Sequence, residues 1–209
     1  HRQQRSAGVS DDELIRTAVR SMGLSELKPF NPEEKIIEYI LKDKTKRRLV
    51  DLSLSAFAWE TSSESPAPGG GSVSAAMGAL GAALGTMVAN LSSHKRGWDG
   101  RWEEFASWAE RGVQMQKRLL ELVDEDTEAY NAILDAFGLP KKSDEEKAAR
   151  AAAVEAATLQ ASLVPLMVMK EAFKVFDLLK EMTEKGNPNS VTDGAVGVLA
   201  VRACIRGAF

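Results

Sequence analysis

The chain has few of the residues from which disulfides or metal sites are built. Its 209 residues include one cysteine, Cys204, and two histidines, His1 and His94. A single cysteine excludes a disulfide framework and is typical of a reducing compartment, so we expect a cytoplasmic protein. A zinc site of histidine and cysteine ligands is excluded as well, and no metal is expected. The chemistry must come from carboxylates, hydroxyls, amides or a bound small molecule.

A strong excess of charge of either sign is also missing. Lysine and arginine together number 27, aspartate and glutamate 30, and the formal net charge is −3. Domains that bind nucleic acid usually carry a strongly basic surface, so the composition argues against nucleic acid as a partner. The 44% of hydrophobic residues suffices for a folded core and makes intrinsic disorder unexpected.

Alternating apolar and polar residues, the pattern of a half-buried strand, are almost absent and occur only briefly at 52–57. Helical signals are frequent instead. Ser10 precedes an amphipathic run that ends at Gly23, and Ser143 begins a capping box. We therefore predict an all-α helical bundle, whose longest helix is kinked or split at Pro165.

One long segment, between Glu64 and His94, contains no charged residue. It is long enough to span a membrane, but it carries polar side chains and no second such segment is found. Large and small residues form two stripes along its predicted helix, 72–92. The large stripe is Val73, Met77, Leu80, Leu84, Met87 and Leu91, and the small stripe is Ser74, Gly78, Gly81 and Gly85. Because small residues let a neighbouring backbone come close, we predict a central buried helix, and at least a dimer to cover both stripes.

Asp126 interrupts an apolar helical stripe. The stripe runs Leu119, Leu122, Tyr130, Ile133 and Phe137. A carboxylate on such a face suits acid–base chemistry, because burial favours its protonated form. The structural alternative is a residue at the end of the packed region, or one paired with a lysine or arginine. Asp124 is predicted to lie on another, exposed face.

The start of the central helix is a second candidate site. Gly69, Gly70 and Gly71 precede Ser72, and free N–H groups at a helix N-terminus favour an electron-rich ligand group. A phosphate-binding P-loop is excluded because its GK[ST] ending is absent. A plain flexible turn is the structural alternative.

A third candidate is the polar turn that begins at Gly186. Its polar members are Asn187, Asn189, Ser190 and Asp193. Their amides and hydroxyls suit a polar heterocycle, although a helix stop followed by an N-cap explains the same residues.

Three motifs follow one another along the chain: SPAPGGGSVSA at 65–75, LVDEDTEAY at 122–130 and GNPNSVTD at 186–193. Together they resemble the cyclodeaminase/cyclohydrolase family of folate enzymes, and the match in order and spacing covers 49–209. Residues 22–39 look like the end of a formiminotransferase domain. This arrangement is similar to that of bifunctional enzymes of histidine breakdown, which join the two domains.

The resemblance implies a reaction that converts 5-formimidoyltetrahydrofolate to 5,10-methenyltetrahydrofolate and ammonia. It also implies a catalytic acid at Asp126, the position that interrupts the apolar stripe. A tetrahydrofolate derivative, polyglutamylated in its expected form, would bind at the turns 69–72 and 187–190. The family fold is a helical bundle that forms dimers, and the bifunctional enzymes build a larger ring of dimers.

We therefore expect residues 1–48 to be the tail of a formiminotransferase domain with its linker. Residues 49–209 are expected to be a cyclodeaminase domain truncated at its C-terminus, since family members continue past the point that matches Phe209. One alternative is a methenyltetrahydrofolate cyclohydrolase of the same family, against which the transferase-like tail argues. The other is a non-catalytic helical interaction module.

Overall fold

The structure, a computed structural model, describes residues 8–26, 28–41 and 48–209. These residues form eight α-helices and no strand, which confirms the all-α prediction. The helices are α1 (Asp11–Ser21), α2 (Pro32–Lys35), α3 (Ile37–Ile40), α4 (Leu54–Thr61), α5 (Gly70–Ser93), α6 (Trp102–Gly138), α7 (Asp144–Lys185) and α8 (Val191–Ala208). Short 3-10 turns lie at Leu49–Asp51, Asp99–Arg101 and Pro188–Ser190. The basic stretch 42–47, part of the predicted linker, lies outside the described residues.

Capping residues set several of the helix boundaries. Ser10 accepts a hydrogen bond from the N–H of Glu13, and Ser143 forms the predicted capping box with Glu146. Of the two effects predicted for Pro165, a kink or a split, the split is wrong, because α7 continues from Asp144 to Lys185. The neighbouring Val164 packs in the core and is 2% exposed.

Helix α5 is the centre of the bundle and packs against α6, α7 and α8. Its small stripe faces inward, as predicted: a Cβ placed on Gly81 would lie 3.0 Å from the carbonyl oxygen of Gly197 in α8 and 2.5 Å from a methyl of Val201. Alanine or any larger residue at position 81 would therefore push the two helices apart.

The large stripe of α5 faces outward. Leu80, Met87 and Leu91 are all exposed in the single chain.

The prediction of a single membrane-length segment is wrong, because both α5 and α7 contain an apolar window of that length, with mean hydropathy 1.5. The window of α5 is 61% buried by protein and that of α7 only 11%, so burial marks α5 as a core helix.

The segment before α1 contacts the bundle. The side-chain amide of Asn90 in α5 donates to the carbonyl of Gly8 at 2.9 Å and accepts its N–H at 3.3 Å. Lys117 of α6 forms an ion pair with Asp11 at 2.6 Å. These contacts attach the transferase-like part of the chain to α5 and α6.

Candidate active site

The first turn of α5 has no side-chain cap, in contrast to α1, α2, α4 and α7. Gly69 occupies the N-cap position with extended backbone and has no side chain to accept a hydrogen bond. A Cβ placed on Gly69 or Gly70 would meet no atom within 4 Å. The outer sides of Gly69 and Gly70 are therefore open, at the positive end of the α5 dipole.

Asp126 reaches this turn from the middle of α6. Its carboxylate lies directly against Gly71, where an added Cβ would be 2.6 Å from Cγ of Asp126. The hydroxyl of Ser72 donates to Oδ2 of Asp126 at 2.8 Å and lies 3.1 Å from Oγ1 of Thr127. The structure thus joins two of the three candidate sites, although Asp126 and the glycine turn are far apart in the sequence.

Asp126 is half-buried. Leu122 and Val123, one turn earlier, are at most 1% exposed, whereas Tyr130 and Phe137 are 41% and 53% exposed. The packed region of α6 continues past Asp126 on another face, since Ala129 is buried in the core. The partner of Asp126 within the described residues is a hydroxyl and not a lysine or arginine.

The prediction that Asp124 lies on an exposed face is wrong, because its side chain is half-buried. Its Oδ1 accepts the N–H of Leu49 at 2.6 Å. Burial raises the pKa of Asp124, while the hydrogen bond from Leu49 and the charge of Arg48 oppose the rise. The 3-10 turn at Leu49–Asp51 folds over this face of α6, so Asp124 anchors that turn.

A polar cleft of about 260 Å³ opens beside the Ser72–Asp126 pair. Its lining includes Arg48, Ala67, Asp124, Thr127, Glu128 and Asn131. The sequence analysis missed Thr127, which also contacts Ser72, although helical spacing places it on one face with Asp124 and Asn131. The cleft therefore gives a ligand access to the surroundings of Asp126.

The third candidate lies at the other end of α5. The N–H of Asn187 donates to Ser92 at 2.8 Å, and the side chain of Asn187 accepts the N–H of Asn189. Ser190 is the N-cap of α8, but its side chain makes no capping hydrogen bond, and Asp193 lies in the first turn of α8. Because α5 has 24 residues and is about 36 Å long, a single chain does not bring these residues to Asp126.

No group of three or more histidine, cysteine, aspartate or glutamate side chains in the described residues is arranged to hold a metal ion.

Comparison with known proteins connects this chain to one family. A family profile described as formiminotransferase-cyclodeaminase matches residues 53–209, and one described as formiminotransferase domain matches residues 1–42. The formimidoyltransferase-cyclodeaminase of Mus musculus is 36% identical over 202 residues, which are 96% of this chain. The chain belongs to the formiminotransferase-cyclodeaminase family.

Two further proteins are similar to about three quarters of this chain. A methenyltetrahydrofolate cyclohydrolase of Methylorubrum extorquens is 38% identical over 156 residues, 75% of each chain. The crystal structure of formiminotetrahydrofolate cyclodeaminase from Thermotoga maritima superposes with a TM-score of 0.65 at 27% identity, over 75% of this chain and 74% of that one. The chain spans only 37% of the length of the Mus musculus relative, and it corresponds to the cyclodeaminase part with a short transferase segment.

Proposed function

We propose that this chain is a formimidoyltetrahydrofolate cyclodeaminase, an ammonia-lyase of histidine breakdown that acts in the cytoplasm. It would convert 5-formimidoyltetrahydrofolate to 5,10-methenyltetrahydrofolate and ammonia. The observation that carries the proposal is the carboxylate of Asp126 at the open glycine turn of α5, inside the region that matches the family.

The reaction requires few protein groups, since the substrate supplies its own nucleophile. N10 of the folate attacks the formimidoyl carbon on N5, the new C–N bond closes the ring, and the C–N bond to the amino group breaks. N10 must lose a proton and the leaving amine must gain one. Asp126 would accept the first proton and donate it to the amine, a role worth about 10²–10⁴-fold in rate. Correct placement of N10 against the carbon would supply much of the remaining acceleration.

The substrate is a tetrahydrofolate, polyglutamylated in its expected form, and no metal takes part in this scheme. We place its reactive end beside Gly69 and Gly70, whose outer sides are open, and its ring in the polar cleft next to Thr127. The turn at 187–190 remains a predicted folate contact. It could serve the site at Asp126 only from a second copy of the chain, because it lies at the opposite end of α5.

A homodimer, or a larger ring of dimers, is part of the proposal. The outward stripe of α5, including Leu80 and Leu91, offers an apolar surface that a second copy would bury. The formiminotransferase domain would belong to the same polypeptide, before the segment that contacts Asn90. Sedimentation that shows only monomers at micromolar concentration would contradict the dimer.

The nearest alternative is a methenyltetrahydrofolate cyclohydrolase, in which water attacks the product's ring. One relative has that name, but it matches only 75% of the chain, whereas the bifunctional relatives match 96%. The match of residues 1–42 to a formiminotransferase domain favours the deaminase. A non-catalytic helical module is disfavoured by the hydrogen-bonded carboxylate at an open cleft.

One assay separates the three functions. Purified protein is incubated with 5-formimidoyltetrahydrofolate, and both ammonia and the absorbance of the methenyl product are followed. A deaminase releases ammonia with matching methenyl formation. A cyclohydrolase only consumes added 5,10-methenyltetrahydrofolate, and an interaction module does neither.

A further inference from the structure

The buried hydroxyl of Ser72 makes two contacts, and both lead to α6. It donates to Oδ2 of Asp126 at 2.8 Å, and it lies 3.1 Å from Oγ1 of Thr127. A serine hydroxyl has one proton to donate, so the proton of the second bond comes from Thr127. The three side chains form a hydrogen-bonded chain from Thr127 through Ser72 to Asp126.

We infer that Ser72 and Thr127 are positioning residues that set the orientation and charge state of Asp126; this inference rests on the proposed function. Ser72 is fully buried and does not line the cleft, so its hydroxyl acts through Asp126 rather than on a ligand. A hydrogen bond donated to a carboxylate stabilises its charged form. Thr127 strengthens that bond, because a hydroxyl that accepts one hydrogen bond donates a stronger one.

The two carboxylate oxygens of Asp126 have different surroundings. Oδ2 is held by Ser72, whereas Oδ1 has no hydrogen-bond partner in the described part of the chain. Oδ1 is the carboxylate atom nearest to Gly71, and a Cβ on that residue would fill its space. Ser72 thus fixes one oxygen and leaves the other to exchange the proton with the substrate.

The test compares Ser72→Ala with Ser74→Ala. Ser74 is a matched control, because its buried hydroxyl donates to the carbonyl of Gly70 at 2.6 Å within its own helix and makes no contact with Asp126. Ser72→Ala should lower kcat about tenfold and move the acid limb of the pH–rate profile up by about one unit, with KM within about twofold. Ser74→Ala should leave both unchanged.

Thr127 provides a second, milder test. Thr127→Val removes the hydroxyl at similar volume and should shift the acid limb in the same direction by a smaller amount. Thr127→Ser should restore the parent profile, because it keeps the hydroxyl. If Ser72→Ala does not fold, this pair still decides the question.

A spectroscopic measurement separates failure of this inference from failure of the proposed function. Carbon-13 NMR of the Asp126 carboxyl needs no turnover, so it applies even if the parent protein releases no ammonia. Loss of the Ser72 hydrogen bond should move the Asp126 carboxyl resonance in Ser72→Ala, whereas Ser74→Ala should leave it in place. An unmoved resonance would overturn the inference, and so would a raised KM with an unchanged pH profile, since Ser72 would then bind substrate directly.

Discussion

The two ends of α5 carry similar small polar residues, but their polar groups have different partners. At the first turn, Asp126 of α6 meets Gly71 and Ser72, next to an open cleft. At the last turn, Ser92 is fully buried and accepts the N–H of Asn187, so both groups are satisfied inside the fold. Residue type alone therefore does not distinguish the two turns. Only the first turn has a half-buried carboxylate next to an open cleft, and a reaction site requires both.

Removing the charge at the first turn should have the largest effect. Asp126→Asn keeps the shape and the hydrogen bond from Ser72 but carries no exchangeable acid proton. We expect ammonia release to fall at least about 100-fold while the fold and folate binding persist. Asp135→Asn, an exposed position on the same helix, is the control, because Asp124 holds the turn at Leu49 and is unsuitable. Equal turnover in Asp126→Asn and the parent would refute the mechanism.

Filling the space beside the Asp126 carboxylate should have the second largest effect. Gly71→Ala places a methyl group where the Asp126 carboxylate lies, so the carboxylate must rotate away. Turnover should fall about tenfold or more, and thermal unfolding should occur at a lower temperature. Gly138→Ala, at the end of α6, is the control, since its Cβ would also meet nothing within 4 Å. A similar loss in both variants would mean that the added methyl group acts without the carboxylate.

A substitution at the opposite end of α5 should lower the stability of the protein and leave its turnover nearly unchanged. Ser92→Ala leaves the N–H of Asn187 without its acceptor. The free energy of unfolding should fall by about 1–3 kcal/mol, and turnover should stay within about twofold. Denaturant titration and the ammonia assay measure the two quantities. A rise in KM would instead show that this turn takes part in folate binding, as the sequence resemblance predicts.

The smallest effect concerns Asp124. Burial raises its folded-state pKa above the ordinary 3.8, so the folded state binds this proton more tightly than the unfolded state. The resulting stabilisation is complete below pH 3.8 and is lost as pH rises through the folded pKa. We expect a loss below about 1 kcal/mol because the side chain is partly exposed. Asp124→Asn, compared with the parent by denaturant titration across this range, should remove the dependence.

Local signals predicted most of the fold. Ser10 and Ser143 fixed helix starts, since a capping side chain and its N–H partner lie within one turn of each other. The spacing of Gly78, Gly81 and Gly85 indicated the buried face of α5, because close packing of two backbones requires small residues at helical intervals.

The site was predictable only in part. The interrupted apolar stripe identified Asp126, but nothing local to α6 shows that its partner is Ser72. Asp124 was misplaced because the 3-10 turn that covers it lies 75 residues earlier in the chain. The contact between Asn187 and Ser92 places the turn at 187–190 at the far end of α5 from Asp126. The sequence gives the length of α5 but not this contact, so the separation was not predictable.

The inward glycines of α5 reverse the usual rule for helix substitutions. Glycine to alanine normally stabilises a helix, by up to about 1 kcal/mol. Here a Cβ on Gly78, Gly81 or Gly85 would lie 2.8 Å or less from a side chain of α7 or α8. Alanine, although the better helix former, would therefore destabilise the bundle at these positions. Saturation mutagenesis of α5 should therefore show the lowest tolerance at positions three or four residues apart, namely Gly78, Gly81 and Gly85. Alanine at any of these three glycines should lower stability about as much as a large-to-small substitution in a protein core does.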